Sequence, residues 1–147
     1  MNISDAGLQF ICDREGVRLD AYPDPGSGGE PWTIGVGHTD PGNIKPGDTC
    51  TMEQAMAWLR SDVAWAEGAV NSQVRVSLTQ GQFDALVDFV FNEGTANFAS
   101  STLLRLLNLG QYDEADAQFV RWNMAAGHVM GGLTTRRNLE AEMFDGN

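Results

Sequence analysis

Apolar residues recur along this chain first at helical spacing, then in short alternating runs, then at helical spacing again. Ser4 is placed to cap a first helix whose stripe runs through Leu8, Ile11 and Cys12. The next position on that stripe is Glu15. Gly16 follows, a residue suited to the left-handed position that ends a helix. Glu15 is therefore expected in the last turn, facing the body of the protein and partly buried. From Val17 to Thr39, "VRLDAY" and "WTIGVGH" predict short strands joined by the turn-rich "PDPGSGGEP". Gly35 and Gly37 alternate with Ile34 and Val36, which predicts a bare strand face open to a neighbouring backbone or a ligand. Asp40 to Thr49, carrying Pro41, Gly42, Pro46 and Gly47, reads as loop.

The rest of the chain is helical in pattern. "TMEQAMAWLRSDVAWAEGAV" opens with Thr51 and Gln54 at capping-box spacing and carries a stripe of Met52, Ala55, Met56, Leu59, Val63 and Ala66. "TQGQFDALVDFVFNEG" repeats the device, with Thr79 and Gln82 as the cap pair, Phe83, Leu86, Val87 and Val90 as the stripe and Gly94 as the stop. Shorter helices are expected at about Ser101–Leu107, Asp113–Trp122 and Thr135–Phe144. Strands gathered near the N-terminus, followed by helices, define an α+β class.

A length of 147 residues fits one domain with a real core. Nine basic against twenty acidic residues give a net charge of −11, which argues against nucleic acid or an anionic membrane as partner. Eight of the nine cations are Arg, suggesting placement for geometry rather than solubility. No apolar run is long enough to span a bilayer, and "MNISDAGLQF" lacks the form of a secretory signal, so a soluble, cytosolically made protein is expected. Cys12 and Cys50 are too few for a disulfide scaffold. Cys12 reads as a buried free thiol, although spacing also allows the two to pair. The two histidines, His38 and His128, are far apart and suggest no metal site.

Two carboxylates in different surroundings are the basic equipment for glycoside hydrolysis. A partly buried Glu15 would keep its proton and serve as general acid. Asp24, in a polar glycine-rich turn, would orient or activate a water, with the Thr33 hydroxyl helping to hold it. Each residue also has an ordinary reading. A glutamate ending a helix is commonly solvated, and an Asp before Pro is common turn chemistry. His38 reads as structural, paired with an acid such as Asp62. Asn92 reads as a plain helix-end residue, Trp32 as packing, and Arg136 and Arg137 as solvated.

The segment "REGVRLDAYPD…WTIGVGHT" resembles the signature of the phage-type lysozymes, glycoside hydrolase family 24. "FVFNEGTANFASSTLL" resembles that family's central helix and the turn after it, and "RWNMAAGHVMGGLTTRRNLEAEMF" its C-terminal segment. The likeness runs through nearly the whole chain in family order. It implies a single lysozyme-like catalytic domain over 1–147, with a β-containing lobe at about 15–50 and a helical lobe at about 51–147 plus the N-terminal helix, joined by a long helix. It further implies an endolysin, a muramidase cutting the β-1,4 bond between N-acetylmuramic acid and N-acetylglucosamine in peptidoglycan, with Glu15, Asp24 and Thr33 as the catalytic set. Phe91, Asn92, Ser101, Thr102 and Gly37 would line the substrate side, with His38 structural near the site. No cofactor or metal is expected, and the protein would be a monomer. Such enzymes wait in the host cytoplasm until a holin opens the inner membrane. One departure concerns "PGSGGEPW", the eight residues between Asp24 and Thr33, which exceed the family's usual spacing and bring in Glu30 as a rival second acid. Other readings are a lytic transglycosylase, which uses one acid, and a non-catalytic wall-binding or tail-structural module.

Overall fold

The computed structural model describes residues 1–146. The chain divides into two compact units. One is Leu8–Ala64, and the other is Met1–Gly7 with the chain from Trp65 onward.

Helix α1, Asp5–Glu15, begins as expected at Ser4, whose Oγ accepts the Gly7 N–H at 3.0 Å. It ends where Gly16, at φ +82°, bonds back to Cys12 O at 2.8 Å. Strand β1, Arg18–Tyr22, pairs antiparallel with β2, Thr33–Gly35, in the register Arg18↔Gly35 and Tyr22↔Thr33. Strand β3, His38–Thr39, pairs back on β2. The expected "WTIGVGH" strand is thus a hairpin. Gly35 and Gly37 both take positive φ, +70° and +67°, so the glycines serve the turn rather than forming a bare face. Gly35 has a second role: a Cβ there would lie 3.2 Å from Ala55 Cβ, so the helix after the sheet can come close. The loop 40–49 returns to the free edge of β1, through Ala21 N to Asp48 O and Cys50 N to Leu19 O, both 2.9 Å.

Helix α2, Met52–Asp62, has the full Thr51–Gln54 capping box. The sequence predicts one continuous helix here, but α2 gives way at Val63 to α3, Ala64–Gln73. The interruption is slight. Val63 keeps right-handed torsions, and its N–H is shared between Leu59 O and Ser61 O, a local tightening of the helical ladder. Cys12 and Cys50 are both free thiols, and burial raises the Cys12 pKa, with Asp13 adding to it.

In the helical unit, α4 (Gln80–Glu93) runs from the Thr79–Gln82 capping box to Gly94. Its residues Phe83 to Val90 are all buried, so it is a core helix on every side. Around it stand α5 (Thr95–Ala99), α6 (Thr102–Asn108), α7 (Tyr112–Asp116), a 3₁₀ turn (Phe119–Arg121) and α8 (Gly131–Asp145). Phe89 meets Phe98, Phe119 and Trp122 edge to face. Two features were not legible in the sequence: α5, and the hairpin β4 (Met124–Ala125)/β5 (His128–Val129), turned by Ala126 and Gly127 at positive φ. The expected helix at 113–122 is two shorter pieces.

Arg136 and Arg137, read from sequence as solvated, are buried. Arg136 grips Asp88 through Nε at 3.0 Å and Nη2 at 2.6 Å. Arg137 bonds Glu93 at 2.7 Å and Glu140 at 2.8 Å, and lies over the Phe89 ring. Nothing in a helical stripe distinguishes a buried, paired guanidinium from an exposed one.

Asp116, on α7, has its pKa raised from 3.8 to about 6 by burial, with Asp145 and Asp113 adding repulsion. Its Oδ1 is buried without a hydrogen-bond partner among the described residues. A folded-state pKa above the unfolded one favours folding fully below pH 3.8, and the benefit is lost as pH rises through about 6. Asp116→Asn is therefore expected to raise Tm by about 3 °C or more at pH 7.5 and to change it little near pH 4. Melting curves at the two pH values check this.

Candidate active site

Glu15, Asp24 and Thr33 all belong to the unit Leu8–Ala64. Glu15 is the last residue of α1, three positions before β1 begins at Arg18. Its side chain is exposed rather than partly buried. The buried stripe of α1 ends at Cys12, one turn earlier, so the helical period extends beyond the atoms that cover it.

Asp24 lies two residues beyond Tyr22, at the opposite end of β1, and is half-buried. Its Oδ2 accepts the N–H groups of Gly26 at 3.1 Å and Ser27 at 3.0 Å. Its backbone closes the same turn, accepting from Gly28 N at 2.8 Å and donating to Gly29 O at 2.9 Å. The carboxylate thus organises its own turn through one oxygen, as an Asx motif does. Its Oδ1 makes no hydrogen bond to protein among the described residues. Glu30 is exposed beside the cis Glu30–Pro31 bond, and it is its main-chain oxygen that accepts, from Ser27 Oγ at 2.6 Å.

Thr33 is buried in β2 opposite Tyr22, which sets it on the Asp24 end of the sheet. Its hydroxyl makes one long bond, 3.4 Å to Pro31 O. His38 is held as expected: Nδ1 lies 2.8 Å from Asp62 Oδ2. Its ring also stacks on Trp58 at 4.7 Å, nearly parallel, a contact the sequence did not indicate. Gly37 is an exposed turn residue, and a Cβ at this position would meet nothing within 4 Å.

The remaining expected residues lie in the helical unit. Phe91 is half-buried near the end of α4 and stacks on Trp65 at 6.0 Å. Asn92 has a buried Oδ1 without a hydrogen-bond partner among the described residues. Ser101 is buried as the cap of α6: its Oγ accepts from Leu104 N at 3.0 Å and donates to Phe98 O at 2.7 Å. Thr102 is exposed beside it, and both line a pocket with Arg75 and Arg105. Sequence reasoning missed Trp58, Trp65 and these two arginines. Trp65 sits outside every apolar stripe, and the arginines are far apart in sequence.

Two acids flanking a short strand, with a strand hydroxyl paired to one end of it, are groups of the kinds that two-carboxylate glycosidases employ. The profile of the Phage lysozyme family matches residues 13–140, and the chain belongs to that family, a family of peptidoglycan-cleaving enzymes. It is 42% identical over 149 residues to the endolysin of Acyrthosiphon pisum secondary endosymbiont phage 1, covering 99% of each protein. It is also 42% identical over 145 residues to the endolysin of Bacillus phage PZA, covering 99% of this chain and 55% of that longer protein. Among solved structures, a mutant of P22 lysozyme superposes with a TM-score of 0.89 at 40% identity, over 98% of each chain. The α+β lysozyme-like fold expected from sequence is therefore the fold found.

Proposed function

We propose that this chain is an endolysin muramidase that hydrolyses the β-1,4 bond between N-acetylmuramic acid and N-acetylglucosamine, and that 1–147 acts as one catalytic domain. The observation that carries the reading is the placement of Glu15 and Asp24 at the two ends of β1, with Thr33 paired to the Asp24 end. Glu15 donates its proton to the leaving glycosidic oxygen. The side chain is exposed in the free protein, and a glycan bound over it excludes water from the point of transfer. Asp24 Oδ1 accepts a proton from the attacking water while Oδ2 stays anchored to the turn, and the Thr33 hydroxyl fixes the water's second contact. An inverting enzyme holds its two carboxyl groups roughly 6.5–9.5 Å apart to admit a water, and a retaining one roughly 5–5.5 Å apart, so the anomeric configuration of the first-formed product, read by NMR, tells which role Asp24 plays.

Phe91 with Trp65 offers a stacked aromatic face for a sugar ring, and Asn92, next along α4, is placed with them. Gly37 and Thr102 belong to the substrate side in the same reading, whereas Ser101 holds the α6 turn. The enzyme works as a monomer without cofactor or nucleic-acid partner, held in the host cytoplasm until a holin opens the inner membrane. Among the described residues no helix is long and apolar enough to cross a membrane.

Digestion of purified peptidoglycan with mass spectrometry of the products tests the reaction. Reducing ends are expected, while anhydro-sugar ends would identify a lytic transglycosylase. Sacculus binding with no soluble product would identify a binding module. The second acid has its own test. Asp24→Asn keeps an oxygen for the turn but no basic carboxylate, so it should lose roughly 100-fold or more in kcat with an unchanged Tm. Asp24→Ala should lose activity and also loosen the turn. A larger loss for Glu30→Ala than for Asp24→Asn would transfer the role to Glu30.

A further inference from the structure

The helical unit leaves three arginines exposed, Arg75, Arg105 and Arg121, and two of them line one cavity of about 400 Å³. Gln73, Ser100, Thr102 and Asn108 complete its polar wall, and among the described residues no carboxylate lines it. In a protein of net charge −11 that is a rare cationic spot. Neither guanidinium makes a hydrogen bond or ion pair among the described residues. The walls are fixed by Asn108, whose Oδ1 accepts the Arg75 N–H at 2.8 Å and whose Nδ2 donates to Gln73 O at 2.9 Å. One amide thus ties the segment bearing Arg75 to the helix bearing Arg105, so both cations are presented from a braced backbone.

We propose that this pocket binds the carboxylates of the stem peptides that branch from peptidoglycan, a second contact with the wall besides the glycan. The inference rests on the muramidase reading for the identity of its ligand. A guanidinium offers a planar fork that matches a carboxylate, while the amides and hydroxyls around it suit a peptide backbone. The volume holds a short peptide segment rather than a single ion. The contact also answers an electrostatic difficulty, because a strongly acidic enzyme is repelled by an anionic wall and needs local cations to stay on it.

The test uses the full chain and two probes, a disaccharide-tetrapeptide and the same disaccharide without peptide. In ¹⁵N spectra the peptide-bearing probe is expected to shift the Arg75 and Arg105 side-chain signals and the Asn108 amide, and the peptide-free probe to leave them in place. Arg75→Gln combined with Arg105→Gln should raise Kd for the peptide-bearing probe roughly tenfold or more, with the melting temperature unchanged because both side chains are exposed. On intact sacculi the double variant should raise KM, with kcat on peptide-free glycan strands unchanged. Equal affinity of wild type and variant for the peptide-bearing probe, shifts confined to other residues, or full displacement of the probe by an equal concentration of inorganic phosphate would each overturn the proposal. If wild type releases no reducing ends from intact, peptide-bearing sacculi while the pocket signals still respond, it is the muramidase reading that falls.

Discussion

Glu15→Gln is expected to abolish peptidoglycan hydrolysis, with kcat reduced roughly 100- to 10,000-fold and the melting temperature unchanged. Gln preserves size and helix propensity at the last position of α1, so the helix and the Gly16 stop should persist. What it removes is the transferable proton. Without it the leaving oxygen must depart as an alkoxide, which water at neutral pH does little to assist. Loss of turbidity in chloroform-treated Gram-negative cells measures the rate, and calorimetry checks the fold. Retained lysis by a folded Glu15→Gln protein would falsify the assignment of Glu15. Because the carboxyl is exposed in the free protein, binding and catalysis should separate: the variant should still pellet with sacculi while releasing no product.

The second large effect concerns stability. Arg137 is fully buried and holds both Glu93 and Glu140, while Arg136 beside it holds Asp88. Two guanidinium groups thus face three carboxylates. Glu140 has its pKa raised well above the usual value, chiefly by burial and then by Asp88, against the pull of both arginines. Arg137→Ala leaves Glu140 buried without its cation and empties the space beside the Phe89 ring. A loss of about 3–5 kcal/mol in unfolding free energy is expected. Replacing Arg137 and its fully buried partner, Arg137→Met with Glu140→Met, removes the buried orphaned charge and refills the volume, leaving only Glu93, which reaches solvent, so part of that loss should be recovered. Urea titrations of the single and double variants decide. A double variant no more stable than Arg137→Ala would show that the ion pair itself, rather than the penalty for an unpaired charge, holds these helices.

The helices were readable where local chemistry sets them. The Thr51–Gln54 and Thr79–Gln82 boxes and the Gly16 and Gly94 stops need only neighbouring residues, and each is present. The β4–β5 hairpin was not legible, because its strands are two residues long and exposed, with no buried face to impose alternation. At the site, the pairing of His38 with Asp62 could be anticipated from complementary chemistry, whereas its stacking on Trp58 depends on how α2 meets the sheet. Glu15 shows the limit of periodicity: the stripe indicates a direction but not how far along the helix the covering atoms extend. The buried arginines show the same limit from the other side. Charge in a sequence reads as exposure unless its partners, here as many as 48 positions away, are known.

The turn after Tyr22 bears on how this region can vary between relatives. Asp24 closes residues 24–29 into a ring with its own carboxylate, N–H and carbonyl, and β1 is held on its other edge by the 48–50 segment. The ring is therefore a self-contained cassette hung on a strand that does not depend on it for register. Insertions or deletions at its glycines should leave β1, pinned along 48–50, in place while moving Asp24, whose Oδ2 takes its position from the Gly26 and Ser27 N–H groups.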